Sequence, residues 1–437
     1  MGGASRAAVN DPTATYWNPA GLSHLNATQI TVLGQILFTY SDYTPNDTLI
    51  SINALFREGP IESGDRIFGI GNLFAVYVPR QCDRWRFGFG AYVPTGVGSS
   101  WDIFYSDNVA DVSVINGKEI SPWFPDSEYV LSITEPLPEK DFRARIGTYT
   151  FSPAISFNVN DNISIGGSVL FSYSELSVDL PSSDQDRTEA DTGVIFQEID
   201  MTGYGIGGIL GIQTSIGERL ILGFTGKYEF PYQYTGKYSE TTYKFYNQYL
   251  SDLGGVFGMN LLSGGVIQKP VVEAVAELDR PYELGLGVSY SPISDLILAL
   301  DLSYVNWSVI DTISVETDSN NAILESLPMR WEDTYRISLG CEYQISRYEI
   351  RAGLFYEPNP AITQYQNLFI PDMNDRLAFT AGVGSTWRNL TVEFSGEFEY
   401  FGEIEALDNW KEDRLLNTPG LYNGHVYDFM LSLTYRF

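Results

Sequence analysis

The last residues of the chain alternate without interruption. Tyr427, Phe429, Leu431, Leu433, Tyr435 and Phe437 fall on one face, and Asp428, Met430, Ser432, Thr434 and Arg436 on the other. The same period of two sets Val392, Phe394, Phe398 and Tyr400 against Glu393, Ser395, Glu397 and Glu399, and Tyr335, Ile337, Leu339, Cys341 and Tyr343 against Arg336, Ser338 and Glu342. Successive side chains leave a pleated strand on opposite sides, so each run predicts a strand with one apolar and one polar face. Aromatic residues bracket these strands: Tyr282 and Tyr290, Tyr335 and Tyr343, Tyr427 and Phe437. A soluble sandwich gives its strand ends no reason to be aromatic. A lipid-facing barrel does, because amphipathic rings settle at the headgroup level.

The connections alternate in length. Short turns are predicted near 79–84, 158–162, 216–218, 291–295, 344–347 and 387–389; long acidic or Pro-rich connections are predicted near 41–65, 101–141, 175–197, 231–280, 311–332, 357–375 and 402–424. Together they join about fourteen strands, an even number, as single-chain bacterial outer-membrane barrels have. The predicted fold class is therefore all-β, a transmembrane barrel of antiparallel strands with both termini on the short-turn, periplasmic side. At about ten residues per crossing the spans need only roughly 140 residues. The remainder must be strand extension, extracellular loop and plug. The first strand is expected to start at Gln29, which divides the chain into a segment 1–28 and a barrel 29–437.

Composition narrows the function. Gly 41, Tyr 29 and Phe 25 recur along the 437 residues with no linker-like shift, which favours one large architecture. Lys+Arg 26 against Asp+Glu 55 gives a net charge of −29, which opposes nucleic acid or an anionic surface as partner. With His24 and His425 the only histidines, and Cys82 and Cys341 in no metal-ligand spacing, neither a metal site nor a disulfide framework is expected. No apolar run is long enough for a membrane helix. Met1–Ala4 has neither a basic n-region nor an apolar h-region, so the chain reads as a processed or trimmed form.

Three stretches break the alternation. GYGIGG at 203–208 satisfies a dinucleotide fingerprint literally, but it continues as strand instead of opening a helix. Small residues in a barrel strand where a plug or side chain passes close by explain it better. In WRFGFGAYVPTGVG at 85–98, Pro94 removes a ladder donor and Gly96 and Gly98 permit a bend. This third strand either kinks and loses pairing or ends at Val93. In TYWNPAGLSHL at 15–25, Pro19 breaks any ladder and Gly21 permits a turn, which places this run outside the wall. The polar phase is acidic through Glu283, Asp301, Glu342, Glu393, Glu397 and Glu399, with Arg143, Arg145, Arg336, Arg351 and Arg376 available to pair.

These residues resemble the FadL/TodX family of outer-membrane transporters for hydrophobic compounds. The resemblance is carried by GGASRAAVNDPTATYWNPAGLSHL at 2–25, NWSVID at 306–311, WEDTYRISLG at 331–340, YEIRAGLFYEPNP at 348–360 and IPDMNDR at 370–376. It implies a fourteen-stranded barrel with an N-terminal hatch in the lumen. It further implies ligand capture between extracellular loops and lateral release beside a kinked third strand. On that basis Asn18, Pro19, Ala20 and Gly21 are the hatch or gate, Pro94, Gly96 and Gly98 the lateral opening, and Arg143, Arg145, Arg336 and Arg351 candidate head-group partners. The expected ligand is a long-chain fatty acid or a hydrocarbon, and the acidic lumen makes a carboxylate the less favoured of the two. The chain starts almost at its GGASRAAV element, whereas family members carry preceding residues that contribute to the internal pocket. No catalytic residue, metal or cofactor is predicted; the protein is expected to be a monomer in outer-membrane lipid or detergent. The alternative is a PorV-like barrel that docks partners of a secretion or surface-assembly system through its loops.

Overall fold

Alternation holds along the part of the wall that faces lipid. The computed structural model describes residues 1–46, 57, 59–64, 66–81, 84–103, 109–110, 114–115, 118–119, 131–133, 137–138, 141–183, 193–246, 264–368, 374–406 and 418–437. Six wall strands precede the first break: β1 (Gln29–Pro45), β2 (Ile67–Tyr77), β3 (Trp85–Trp101), β4 (Phe142–Asn158), β5 (Ile163–Ser183) and β6 (Gly193–Ile216). Four strands follow in two pieces each: β7 (Leu220–Glu229 and Tyr232–Tyr246), β8 (Val272–Leu278 and Glu283–Ile293), β9 (Leu296–Val305 and Thr312–Thr317) and β10 (Ile323–Pro328 and Thr334–Ile345). Then come β11 (Tyr348–Glu357), β12 (Arg376–Trp387), β13 (Leu390–Ala406) and β14 (Gly420–Arg436). β14 pairs with β1 from Arg436 opposite Gln29 to Gly420 opposite Pro45, so the sheet closes into a 14-strand antiparallel barrel. Closure leaves no edge, which lipid demands because it offers the backbone no alternative partner.

All six predicted short turns join consecutive strands. The long connections differ from expectation: β5 runs to Ser183, β6 starts at Gly193, and β7 continues to Tyr246. Acidic and proline residues broke the apolar alternation there, yet a ladder standing above the bilayer has water on its outer face and needs no apolar phase.

Along the lipid-facing band most outward side chains are large and apolar, as lipid requires. Tyr149, Tyr173 and Tyr204 stand opposite one another across β4, β5 and β6, and Tyr304 stands opposite Tyr335 beside Tyr282. Tyr290, Tyr343, Tyr348, Trp387 and Tyr435 form the belt at the short-turn end. Among the described residues no helix is long and apolar enough to cross a membrane.

The four broken strands are neighbours and break side by side. Below the breaks Lys227, Glu283, Val305 and Thr334 stand in one register row; above them β8 pairs with β9 at Ala276 and Val315. Pro231, Pro281 and Pro328 lie at or beside three of the breaks, where each withholds a ladder donor. Inside the ring, the first 28 residues carry a single helical turn α1 (Ala14–Trp17) and a 3-10 turn (Pro19–His24).

Candidate functional site

The N-terminal segment is built by close backbone approach. Asn18 caps the 3-10 turn, its Oδ1 accepting from the Ala20 N–H at 3.1 Å, and Pro19 supplies a first-turn residue that needs no donor. Its amide donates to the Arg6 carbonyl at 2.8 Å, tying the turn to the chain ahead of it. The turn lies directly on wall glycines: a Cβ at Gly166 would stand 2.3 Å from the Pro19 carbonyl carbon, and one at Gly211 would stand 2.0 Å from Asn18 Oδ1. No larger residue fits there. Gly223 and Gly285 receive Arg6 in the same manner. Arg6 is itself buried, bonding Thr225 Oγ1 at 3.0 Å and pairing with Glu283 and Asp301. GYGIGG obeys the same rule from within the wall, since the Tyr232 and Tyr234 rings occupy the space over Gly205 and Gly203.

β3 leaves its neighbour where Pro94 stands. Its ladder with β2 runs only from Tyr77 opposite Phe87 to Leu73 opposite Ala91, although β2 stays paired with β1 as far as Ile67 opposite Phe38. On the other side β3 remains paired with β4 up to Trp101 opposite Phe142, with one irregularity between Tyr92 and Thr95. Val93 and Pro94 there share the single opposing residue Tyr149, a bulge that turns the strand. The Asn72 side chain takes over where the ladder stops, accepting from Val93 N–H at 3.0 Å. Above, Gly64 N–H reaches the Ser100 carbonyl at 2.7 Å and closes the gap again. Between those two contacts the wall has a window without main-chain pairing. Phe68 and Ile70 from β2 fill it: a Cβ at Gly98 would stand 3.3 Å from the Phe68 ring, and one at Gly96 would stand 3.9 Å from Ile70. The strand therefore kinks and continues; it does not end at Val93.

The Asn-Pro-Ala-Gly turn and the window do not meet directly. Tyr16, two residues earlier, packs edge-on against Tyr92 at 5.2 Å, and Tyr92 stacks on Phe74 at 5.5 Å beside the start of the window. Tyr92 at the hinge of the bulge carries the same period-two signal as any other wall residue, and Tyr16 lies in a stretch with no period at all, so sequence marks neither as a contact. A cavity of about 890 Å³ lies at the window, lined among others by Phe68, Ile70, Gly96, Tyr149, Arg145 and Lys237.

Residues 140–437 match the family described as outer membrane protein transport protein (OMPP1/FadL/TodX). The chain belongs to this family. A Pseudomonas aeruginosa FadL homologue shares its fold at a TM-score of 0.73 with 18% identity, over 99% of this chain and 95% of that one. The P. putida toluene transporter TodX gives 0.69 with 15% identity, over 98% and 95%, and the Ralstonia pickettii toluene transporter TbuX gives 0.66 with 15%, over 100% and 96%. No curated protein sequence matches the chain.

The four arginines offered as head-group partners divide. Arg143 and Arg145 share the outer phase of β4 with Tyr149 and Phe151, and Arg143 pairs with Asp179 at 2.8 Å, so neither faces the lumen. A strand's phase cannot be read in a stretch where both faces carry polar residues, and this stretch lies above the lipid. Arg336 and Arg351 do face inward. Arg351 is held by Glu342 at 2.6 Å, by Glu349 at 2.5 Å and by Glu393, and Arg336 lies 3.6 Å over the Phe355 ring and 3.8 Å from Glu357.

Four of the FadL/TodX motifs form two clasps. Asp333 receives hydrogen bonds from the Tyr304 hydroxyl, from Asn306 Nδ2 at 3.0 Å and from Ser308 N–H at 2.9 Å, bridging NWSVID to WEDTY. Asp375 repeats the arrangement with the Tyr356 hydroxyl at 2.7 Å and Asn359 N–H at 2.9 Å. Residues 370–373 of IPDMNDR, and Cys82, lie outside the described residues. The Tyr304 hydroxyl and then the Ser308 donors hold Asp333 down to about 2. A carboxylate whose folded value lies below its unfolded value of about 3.9 stabilises fully above that value and loses its effect as pH falls through the lower one. The clasp should thus survive at pH 4 and open near pH 2. Trp307, held 5.3 Å edge-on to Trp331 by this turn, gives the readout. The fluorescence difference between wild type and W307F should change with a midpoint near 2, and D333N should show no such transition.

Proposed function

We propose that this FadL/TodX member takes up hydrophobic small molecules across the outer membrane and releases them sideways through the window between β2 and β3. One observation carries the reading: the β2–β3 ladder stops at Leu73 and Ala91 while both strands stay paired on their other sides. Free N–H and C=O groups are costly in lipid, so a stretch of wall without pairing belongs where the backbone is set against protein or a water-filled passage. The family consists of transport channels, not enzymes, and two of the compared structures are toluene transporters.

In this reading residues 1–28 are a hatch, 29–437 the channel wall, both termini face the periplasm, and the extracellular strand extensions capture ligand. Asn18, Pro19, Ala20 and Gly21 anchor the hatch on β5 and β6, and Tyr16 carries its position to the gate. The protein acts as a monomer in lipid, with a neutral hydrocarbon fitting the acidic lumen better than a fatty acid. A barrel that only docks partner proteins has no need of a window.

Organic extracts of the purified protein should contain a hydrophobic compound by mass spectrometry, at roughly one per barrel for micromolar affinity. Proteoliposomes bearing the protein should pass such compounds faster than empty ones. Repeated extracts without any lipid or hydrocarbon, together with no gain in flux, would count decisively against uptake.

A further inference from the structure

Beside the window two lumenal carboxylates stand outside the ion pairs of the described residues; of the two, Glu397 faces Arg336 and the N-terminal ammonium, and Asp428 carries the deficit. Each inward arginine of β10, β11 and β12 is engaged: Arg351 by three glutamates, Arg336 by Glu357, and Arg376 by Glu357 at 2.6 Å and Glu399 at 3.7 Å. Among the described residues Asp428 and Glu397, opposite each other on β14 and β13, take part in no ion pair. Asp428 is 3% exposed; its Oδ2 accepts from Gln35 Nε2 at 2.6 Å, and its Oδ1 is buried with no hydrogen-bond partner. A buried acceptor left unpaired is costly, and a buried charge without a partner more so.

This acidic patch is placed for the window. Glu397, Asp428, Leu37 and Phe68 stand in one register row across β13, β14, β1 and β2, and Gln35 stands opposite Ile70. Asp428 is thus two strands from Phe68, about 10 Å at the usual strand spacing. A ligand with its apolar body at Phe68 and Ile70 has its polar end within reach of Asp428.

We infer that the transported compound is an amphiphile whose polar end donates hydrogen bonds to the Asp428–Glu397 patch, an alkylamine in preference to an alkyl carboxylate. The inference rests on the uptake reading and adds the chemistry of the head. A carboxylate there meets the unpaired Asp428, with Arg351 and Arg376 held by their glutamates and Arg336 shared between Glu357 and Glu397. An ammonium supplies the missing donor and the missing charge together.

The test uses the full chain in nanodiscs of zwitterionic lipid, with N-phenyl-1-naphthylamine as a neutral fluorescent reporter and decylamine and decanoate as competitors, corrected against empty nanodiscs. Decylamine should displace the reporter at least about tenfold more effectively than decanoate, which is one charge-assisted hydrogen bond in affinity. D428N, which keeps an acceptor for Gln35, should narrow that ratio about tenfold while reporter binding is unchanged. E397Q should narrow it in the same direction and serves if D428N fails to fold. Equal displacement by the two competitors, or a ratio unmoved in the folded variants, overturns the inference and leaves uptake standing. Failure of the reporter to bind the wild-type protein at all removes uptake, and this inference with it.

Discussion

Deleting Pro94 and replacing Gly96 by Val should lower uptake of a hydrophobic probe by tenfold or more while the barrel stays folded. The argument is one of register. Tyr92 stands opposite Thr150 and Thr95 opposite Thr148, so Val93 and Pro94 together face Tyr149. Removing one residue restores one-to-one pairing with β4 and takes away the turn that carries the upper half of β3 from β2. Continuing the β2–β3 register beyond Leu73 and Ala91 then brings β3 alongside Ile67–Asn72, where β2 has no second partner. New main-chain bonds are worth about 1 kcal/mol each, and three or four of them would hold the window shut against a population shift of well over tenfold. Val at position 96 adds a side chain where Ile70 now lies, so the gap is also filled sterically. Heat-modifiable gel mobility checks the fold, and flux into proteoliposomes checks the gate. F68A should act in the opposite direction, because it removes the ring that fills the window above Gly98. Normal flux through the deletion variant would sink the lateral gate.

Sequence carried the wall further than the site. Period-two alternation with aromatic ends gave the barrel, its short turns and the start of β1 at Gln29, because lipid on one face and a polar lumen on the other impose opposite chemistries on neighbouring residues. Above the lipid that contrast disappears, so the upper parts of β5, β6 and β7 read as loops, and Arg143 and Arg145 read as lumenal when their phase is outward. Pro94 was legible as a fault because proline has a mechanism written into its ring. What fills the fault was not: Phe68, Ile70 and Asn72 are ordinary strand residues whose role appears only when β2 is seen to lose one partner and keep the other. The wall glycines fall between these cases. Gly166 and Gly211 could be recognised as small residues in strands, but only the position of Asn18 and Pro19 shows what they make room for.

Those glycines lead to the second large effect. Gly166→Val should release the N-terminal segment from the lumen. The nearest atoms to the new Cβ belong to the backbone at Pro19 and Ala20, at 2.3 and 2.4 Å, so no side-chain rotation relieves the clash. β5 is held on both sides by ladders to β4 and β6, whereas the 3-10 turn is held by its cap and a few side-chain contacts. The turn must therefore be what moves. Overpacking of this kind costs about 1–3 kcal/mol, enough to raise the undocked fraction roughly fivefold to a hundredfold. Arg6 reports the change, since it is 7% exposed when docked and carries a peptide bond that trypsin cuts once it is free. Cleavage after Arg6 should accelerate by that factor, and single-channel recordings should change from a quiet baseline to ion-conducting steps as the lumen empties. Gly69→Ala is the matched control: it is a glycine of the outer phase whose Cβ meets nothing within 4 Å, and it should change neither measurement. If Gly166→Val leaves Arg6 protected and the channel quiet, the segment does not depend on glycine approach for its seat. The hatch assignment would then have to rest on Arg6 and its carboxylates alone.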